Sequence, residues 1–259
     1  MNTGKELADR DNFAFGISLA GSIMAIALVL TGAIENQTAF TLSRELVGIT
    51  IYGLIGLLLI QIGRWIHDKL ILAELDKTEE IRQRNVSVAL VDAAASVSTA
   101  IVIRAVLKWV HGFDGYALLG IITGFVVAQA LLLFITRLRE YYYRRDNQGA
   151  SLQQALQLFQ IPLAIRHGGE MISTALVISS ASRFVPYRPE SLVVNFLGWL
   201  LFSLFAMILL NLLVEIAKRV ILHGIDRCRE VDRQQNTGVA SLEAAISIGI
   251  AFCLTALMG

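Results

Sequence analysis

Six stretches of this chain run for about twenty residues or more with almost no charge, at about 13–34, 46–66, 86–107, 115–137, 192–216 and 239–258. Dense clusters of charge separate them. A helix needs roughly 20 apolar residues to cross about 30 Å of hydrocarbon, and there its backbone must satisfy its own hydrogen bonds. The pattern predicts an all-α integral membrane protein. Composition agrees: 55% of the 259 residues are apolar and 17% are charged, against about 25% charged in a typical soluble domain. The 22 basic and 21 acidic side chains nearly cancel. Their block arrangement separates spans from loops, so no nucleic-acid partner is expected. Cys228, in a charged loop, and Cys253, in a span, lie far apart. They indicate neither a disulfide framework nor a zinc site.

A seventh span over about 158–182 is weaker, because Arg166, His167 and Glu170 interrupt it and Pro162 sits near its start. The positive-inside rule, which counts Lys and Arg in short loops, supports it. With seven spans, 16 such residues fall on one side and 5 on the other, with Arg166 left in the membrane. Deleting the fifth span moves the loop at 218–236 across and degrades the split to 14 against 8. The expected topology has a cytoplasmic N-terminus and a periplasmic or extracellular C-terminus. The first span is too long for an ordinary signal-peptide core and no A-x-A-like cleavage site follows, so it is expected to stay. Trp65, Trp109, Tyr141-Tyr142-Tyr143 and Tyr187 fall near span ends, as interfacial anchors do. Trp199 lies inside the sixth span and is expected to pack against a neighbour or lipid.

The chain also repeats itself. Shifted by 151 residues, Glu79, Arg82, Gln83, Asn85, Val88, Ala89, Ala93, Ala94 and Ser96 fall on Glu230, Arg233, Gln234, Asn236, Val239, Ala240, Ala244, Ala245 and Ser247. Asp92 falls on Glu243. A fainter copy lies 73 residues upstream, where Asn12 matches Asn85 and Leu19 takes the acidic position. Another shows mainly as Glu170, 78 residues after Asp92. The chain reads as a single membrane domain, 1–259, of parallel-oriented two-helix repeats at about 1–72, 73–150 and 151–222, with a half repeat at 223–259. The connections at 64–84 and 215–235 suit span helices continuing below the membrane into a cytoplasmic collar.

The segments DRDNFAFGISLAG at 9–21, IRQRNVSVALVDAAASVS at 81–98 and DRQQNTGVASLEAAISIGIAF at 232–252 resemble the repeat of the YjfL-like inner-membrane family, known as domain of unknown function 350. Its mark is an Asn at the cytoplasmic mouth of a span, then small residues, an acidic or Gly position and more small residues. The resemblance covers nearly all the chain and implies a bacterial inner-membrane location. It implies no biochemical activity.

Asp92 and Glu243 lie seven residues past their Asn, about 10 Å along a helix. Copies stacked around an axis would put Asp92, Glu170 and Glu243 at one depth, about a third of the way in. Such acids are costly in hydrocarbon and are expected to face the bundle interior. Arg166, at i−4, is the better-placed partner for Glu170, with His167 beside it. Two readings stand. In one, the acids line a polar track for protons, cations or a small cationic solute. In the other, the acids and Arg166 form buried ion pairs that fix helix register. Asn12, Asn85 and Asn236 sit where helices begin and suit N-caps; a gating ring at the cytoplasmic mouth is the alternative.

Gly16, Ala20, Ala89, Ala93, Ala240 and Ala244 recur at four-residue spacing, a face that permits close helix contact. Pro162 and Gly168-Gly169 could break the fifth span, as at transporter sites. No hydrolase, metalloprotease or nucleotide-binding motif occurs, so no enzyme, cofactor or metal site is expected. The leading expectation is a transporter or channel-like protein. The alternative is a membrane scaffold or stress-response component recruiting a cytosolic partner through 64–84 and 215–235. The unpaired seventh span points to a homo-oligomer.

Overall fold

The computed structural model describes residues 2–35, 42–112 and 114–258. Its helices are α1 (Phe13–Glu35), α2 (Leu42–Leu70), α3 (Lys77–Arg82), α4 (Val86–Trp109) and α5 (Gly115–Asp146). They continue as α6 (Leu152–Gln157), α7 (Ile161–Ser179), α8 (Ala181–Phe184), α9 (Leu192–Ile221) and α10 (Thr237–Leu257). Short π-helical turns at Lys5–Asp9 and Arg229–Arg233 precede α1 and α10. No strand occurs among the described residues, and α1, α2, α4, α5, α9 and α10 are long and apolar enough to cross a membrane.

The helix starts follow from local chemistry. Asn85 Oδ1 accepts the backbone N–H of Ser87 and Val88, Asn236 Oδ1 that of Val239, and Asn12 Oδ1 that of Phe15. All three asparagines are therefore N-caps, which meet donors that the first helical turn leaves free. Each follows a residue in the left-handed region: Asp11 at φ 48°, Arg84 at 67° and Gln235 at 54°. The same turn appears a fourth time as Phe159, at φ 59°, ahead of Gln160, the residue that opens α7. A left-handed Phe is unusual, and it marks where the remaining copy begins. Pro162 sits in the first turn of α7, where its missing N–H costs no helical bond.

Four helices, one per copy, pack side by side in the order α1, α4, α7, α10. They run parallel, since contacts advance together along each pair. Gly21 and Gly32 of α1 meet Ala93 and Arg104 of α4, and Gly169 of α7 meets Ala244 of α10. A Cβ on Gly21 would lie 2.5 Å from Ala93 Cα, and one on Gly169 2.7 Å from Ala244 Cα. Only glycine lets the backbones approach that closely. Helices α2, α5 and α9 run the other way and form a second layer, α2 over α1 and α4, and α9 over α7, α10 and α5. We call the end where the parallel row begins the basic end.

Helix α7 is the expected fifth span. It is continuous over its 19 residues, so Pro162 and Gly168-Gly169 do not break it. Gly168 and Gly169 instead seat α7 against Ala94 of α4 and Ala244 of α10. Its neighbours, rather than lipid, cover most of it, which is why it tolerates Arg166, His167 and Glu170. Trp109 is no surface anchor. It is 3% exposed, donates Nε1–H to the Val185 carbonyl at 2.5 Å and meets the rings of Tyr187 and Trp199 edge-on. Trp199 is fully buried, as expected of a packing residue. His67, at a span end, is buried too.

Candidate functional site

Counting from each N-cap places the polar residues. Seven residues past Asn12, Asn85, Gln160 and Asn236 stand Leu19, Asp92, His167 and Glu243. The repeat position of Asp92 and Glu243 is therefore held in the third copy by His167. Glu170 lies three residues further in, about 4.5 Å deeper. The expected ring of Asp92, Glu170 and Glu243 at one depth is replaced by two separate clusters.

The first cluster is small and closed. Asp92, 2% exposed, accepts from Lys77 Nζ at 2.8 Å on one oxygen and from Ser18 Oγ at 2.5 Å on the other. Lys77 also bonds Asp68 at 2.7 Å.

The second cluster lines a cavity of about 570 Å³ at the basic end of α7, α9 and α10, beside the end of α5. Lys218 Nζ, at the end of α9, lies 3.6 Å from Glu170 and 3.1 Å from Glu243, joining the two acids. Arg139 of α5 approaches Glu170 at 3.4 Å and donates to Thr174 Oγ1 at 3.0 Å. Glu243, 3% exposed, is also approached by Arg227 at 3.7 Å and Arg166 at 3.9 Å. Arg166 is not the partner expected for Glu170. Its bond goes to Asp232, at 2.5 Å, in the π-helical turn before α10. The reason is orientation: Arg166 stands six residues past its N-cap, as Ser18 does in α1, and both reach toward the next helix of the row.

Both clusters share one design. Each repeat acid draws a base from the segment ahead of its own helix, Lys77 for Asp92 and Arg227 for Glu243. The first half then closes with Ser18, whereas the second opens into the cavity. Among the described residues, three that line it keep buried polar atoms with no hydrogen-bond partner: Arg139 Nη1, His167 Nε2 and Glu243 Oε2. Beyond Glu170 the bundle is filled by Val177, Ala206, Leu210, Ala251 and Leu254. The cavity is of ligand size, mixed in charge, and blind at its inner end.

Lys218, Arg139, Arg227, Asp232 and Glu215 also line the cavity, and the sequence pattern does not single them out. Their signal was present but faint: Arg139 and Lys218 follow apolar runs without a helix breaker. The asparagine caps also tie copies together. Asn12 Nδ2 donates to Glu6 and to the Ile81 carbonyl, and Asn85 Nδ2 to Glu80 and the Leu156 carbonyl. Ile81 and Leu156 each lie four residues before the next N-cap. At the basic surface the Asn12 amide and the Arg10 guanidinium hold the Glu6 carboxyl below the usual range.

A family model described as Domain of Unknown Function (DUF350) matches residues 1–107 and 113–258. No curated protein and no solved structure matches the chain. The two matched stretches divide the parallel row into α1 with α4 and α7 with α10, the pairs joined by the Gly21–Ala93 and Gly169–Ala244 contacts.

Proposed function

The chain belongs to the DUF350 family, and we propose that it is a bacterial inner-membrane carrier that takes a small charged solute into the cavity between α5, α7, α9 and α10. The observation that carries this reading is that cavity: charged, ligand-sized, and lined by buried groups of both signs whose hydrogen-bonding capacity the protein does not fill. Unfilled polar capacity is costly in a low-dielectric interior. Ionisable residues at membrane depth are functional candidates by default.

In this reading Glu170 and Glu243 bind a cationic group on the solute, and Lys218, which holds both, is displaced or shared. Arg139 meets an anionic group, so a small zwitterion or a cation with a polar tail suits the site. The apolar plug beyond Glu170 favours a carrier over an open channel, because ions do not cross unbroken hydrocarbon. The basic end faces the cytoplasm, on the 16 to 5 distribution of Lys and Arg and the positive-inside rule. Recruitment of a cytosolic partner gains less support, since Ile71, Leu72, Ile81 and Val231 of the collar are buried against the bundle.

Purified protein in liposomes should show saturable uptake of a member of a panel of protons, amino acids and polyamines. Glu170→Gln with Glu243→Gln should abolish it while the melting transition persists. Unchanged flux in that double variant would remove the acids from the mechanism. No flux of any member, with no thermal stabilisation by any, would overturn the carrier reading. Cysteine labelling of Arg227→Cys from one side would test the orientation.

A further inference from the structure

The parallel row has two ends, and each end is a copy of a face that the chain already uses internally. Helix α10 repeats α4 at an interval of 151 residues, and α1 repeats α7 at 148, from Asn12 to Gln160. The contact between α4 and α7, which joins the two halves, thus has a counterpart between α10 and α1. In the chain, Ala94 of α4 meets Gly168 of α7, where a Cβ would lie 3.1 Å from Ala94 Cβ. The counterparts are Ala245 on α10 and Ala20 on α1. Ala94 is 7% exposed, but Ala245 and Ala20 are both exposed.

The capping network ends the same way. Asn12 and Asn85 each send one Nδ2–H to a carbonyl of the following copy, Ile81 or Leu156. Asn236 caps α10 and bonds Glu230 at 2.8 Å, and among the described residues its Nδ2 meets no carbonyl of a further copy. The counterpart of Leu156 is Ala8, exposed in the turn before α1.

We propose that the occupant of the free α10 face is α1 of a second copy of this chain, so that the protein assembles head to tail. Ala245 packs on Ala20 of the next protomer and Asn236 reaches its Ala8 carbonyl. Because the row is parallel, this step leaves every protomer in the same membrane orientation. A heterologous contact of this kind, repeated in one plane, closes into a ring when the rotation between protomers divides a full turn, and otherwise extends as an open row. It rests on the repeat geometry and is independent of the carrier reading.

The test uses the full chain with Cys228→Ser and Cys253→Ser. Two differently tagged versions, one Ala20→Cys and one Ala245→Cys, are co-expressed and oxidised in native membranes. The expected result is a disulfide between the two tags, with none between two Ala20→Cys or two Ala245→Cys chains. A lack of mixed disulfide would overturn the proposal, as would self-pairing of either variant at equal yield. As a second readout, Ala245→Trp, at an exposed position, should keep a cooperative melting transition yet reduce the mass in mild detergent to that of a monomer. An unchanged oligomer, or a wild type that is already monomeric in lipid nanodiscs, would equally refute it.

Discussion

Arg166 and Asp232 are joined at 2.5 Å, although one lies in a membrane-depth helix and the other in the turn that precedes the next helix. The bond carries the guanidinium across the helix row instead of onward along α7 to Glu170. It leaves Glu170 to Arg139 and Lys218, and so sets the charge pattern of the cavity.

The Asp92–Lys77 pair is buried, with Asp92 at 2% and the Lys77 side chain at 13% exposure. Removing one partner leaves an uncompensated charge, which costs about 3–5 kcal/mol. Lys77→Met should lower unfolding stability by about that amount. The double variant Lys77→Met with Asp92→Asn should lose less than the sum of the single changes. Additive losses in a denaturant titration would show that the pair is not coupled.

The close approach at Gly169 predicts a size limit. Any side chain there meets Ala244 backbone, and overpacking of this kind costs about 1–3 kcal/mol. Gly169→Val should reduce the melting temperature in detergent. Gly53→Ala should leave it nearly unchanged, because a Cβ there meets only Leu30 Cδ2 at an ordinary 3.5 Å.

Asn85 both caps α4 and bonds the Leu156 carbonyl, whereas Asn236 only caps and bonds its own preceding turn. Loss of a cap costs about 0.5–2 kcal/mol, and a further hydrogen bond about 0.5–1.5 kcal/mol. In the Ala245→Trp background, where each protomer stands alone, Asn85→Ala should therefore destabilise the protein more than Asn236→Ala. Asn85→Asp keeps the cap but places a carboxylate beside Glu80, and should fall near the alanine variant. Equal melting shifts for Asn85→Ala and Asn236→Ala in that background would count against the tie to α6.

Glu74 links three segments outside the spans. Ser151 Oγ donates to it at 2.8 Å and Arg144 at 2.9 Å, and these hold its carboxyl below the ordinary range, with the Ser151 bond the larger cause. The folded-state value lies below the unfolded one, so the stabilisation is complete above about pH 4.5 and fades as pH falls through the depressed value. Glu74→Gln should flatten that acid-side loss of stability. A melting curve equally steep in acid for both proteins would assign the loss to other carboxylates.

Much of this protein was legible from its residues alone, and the reason is that the deciding forces are local. Bilayer hydrocarbon selects any apolar run of sufficient length, so the six strongest spans lie where the charge-free stretches put them. An Asn cap acts on N–H groups two or three residues away, so Asn12, Asn85 and Asn236 announced their own helix starts. The parallel repeat was legible for the same reason. What only the tertiary structure decided depends on which helix ends converge across long separations. The left-handed turn at Phe159 moves the third copy's repeat position from Glu170 to His167, and no periodicity in the sequence marks it. Lys218, 48 residues from Glu170 along the chain and 25 from Glu243, stands between them because α9 folds back over α7 and α10. Charge pairing in a low-dielectric interior is strong enough to matter but carries no sequence signature, and packing alone chose the partners.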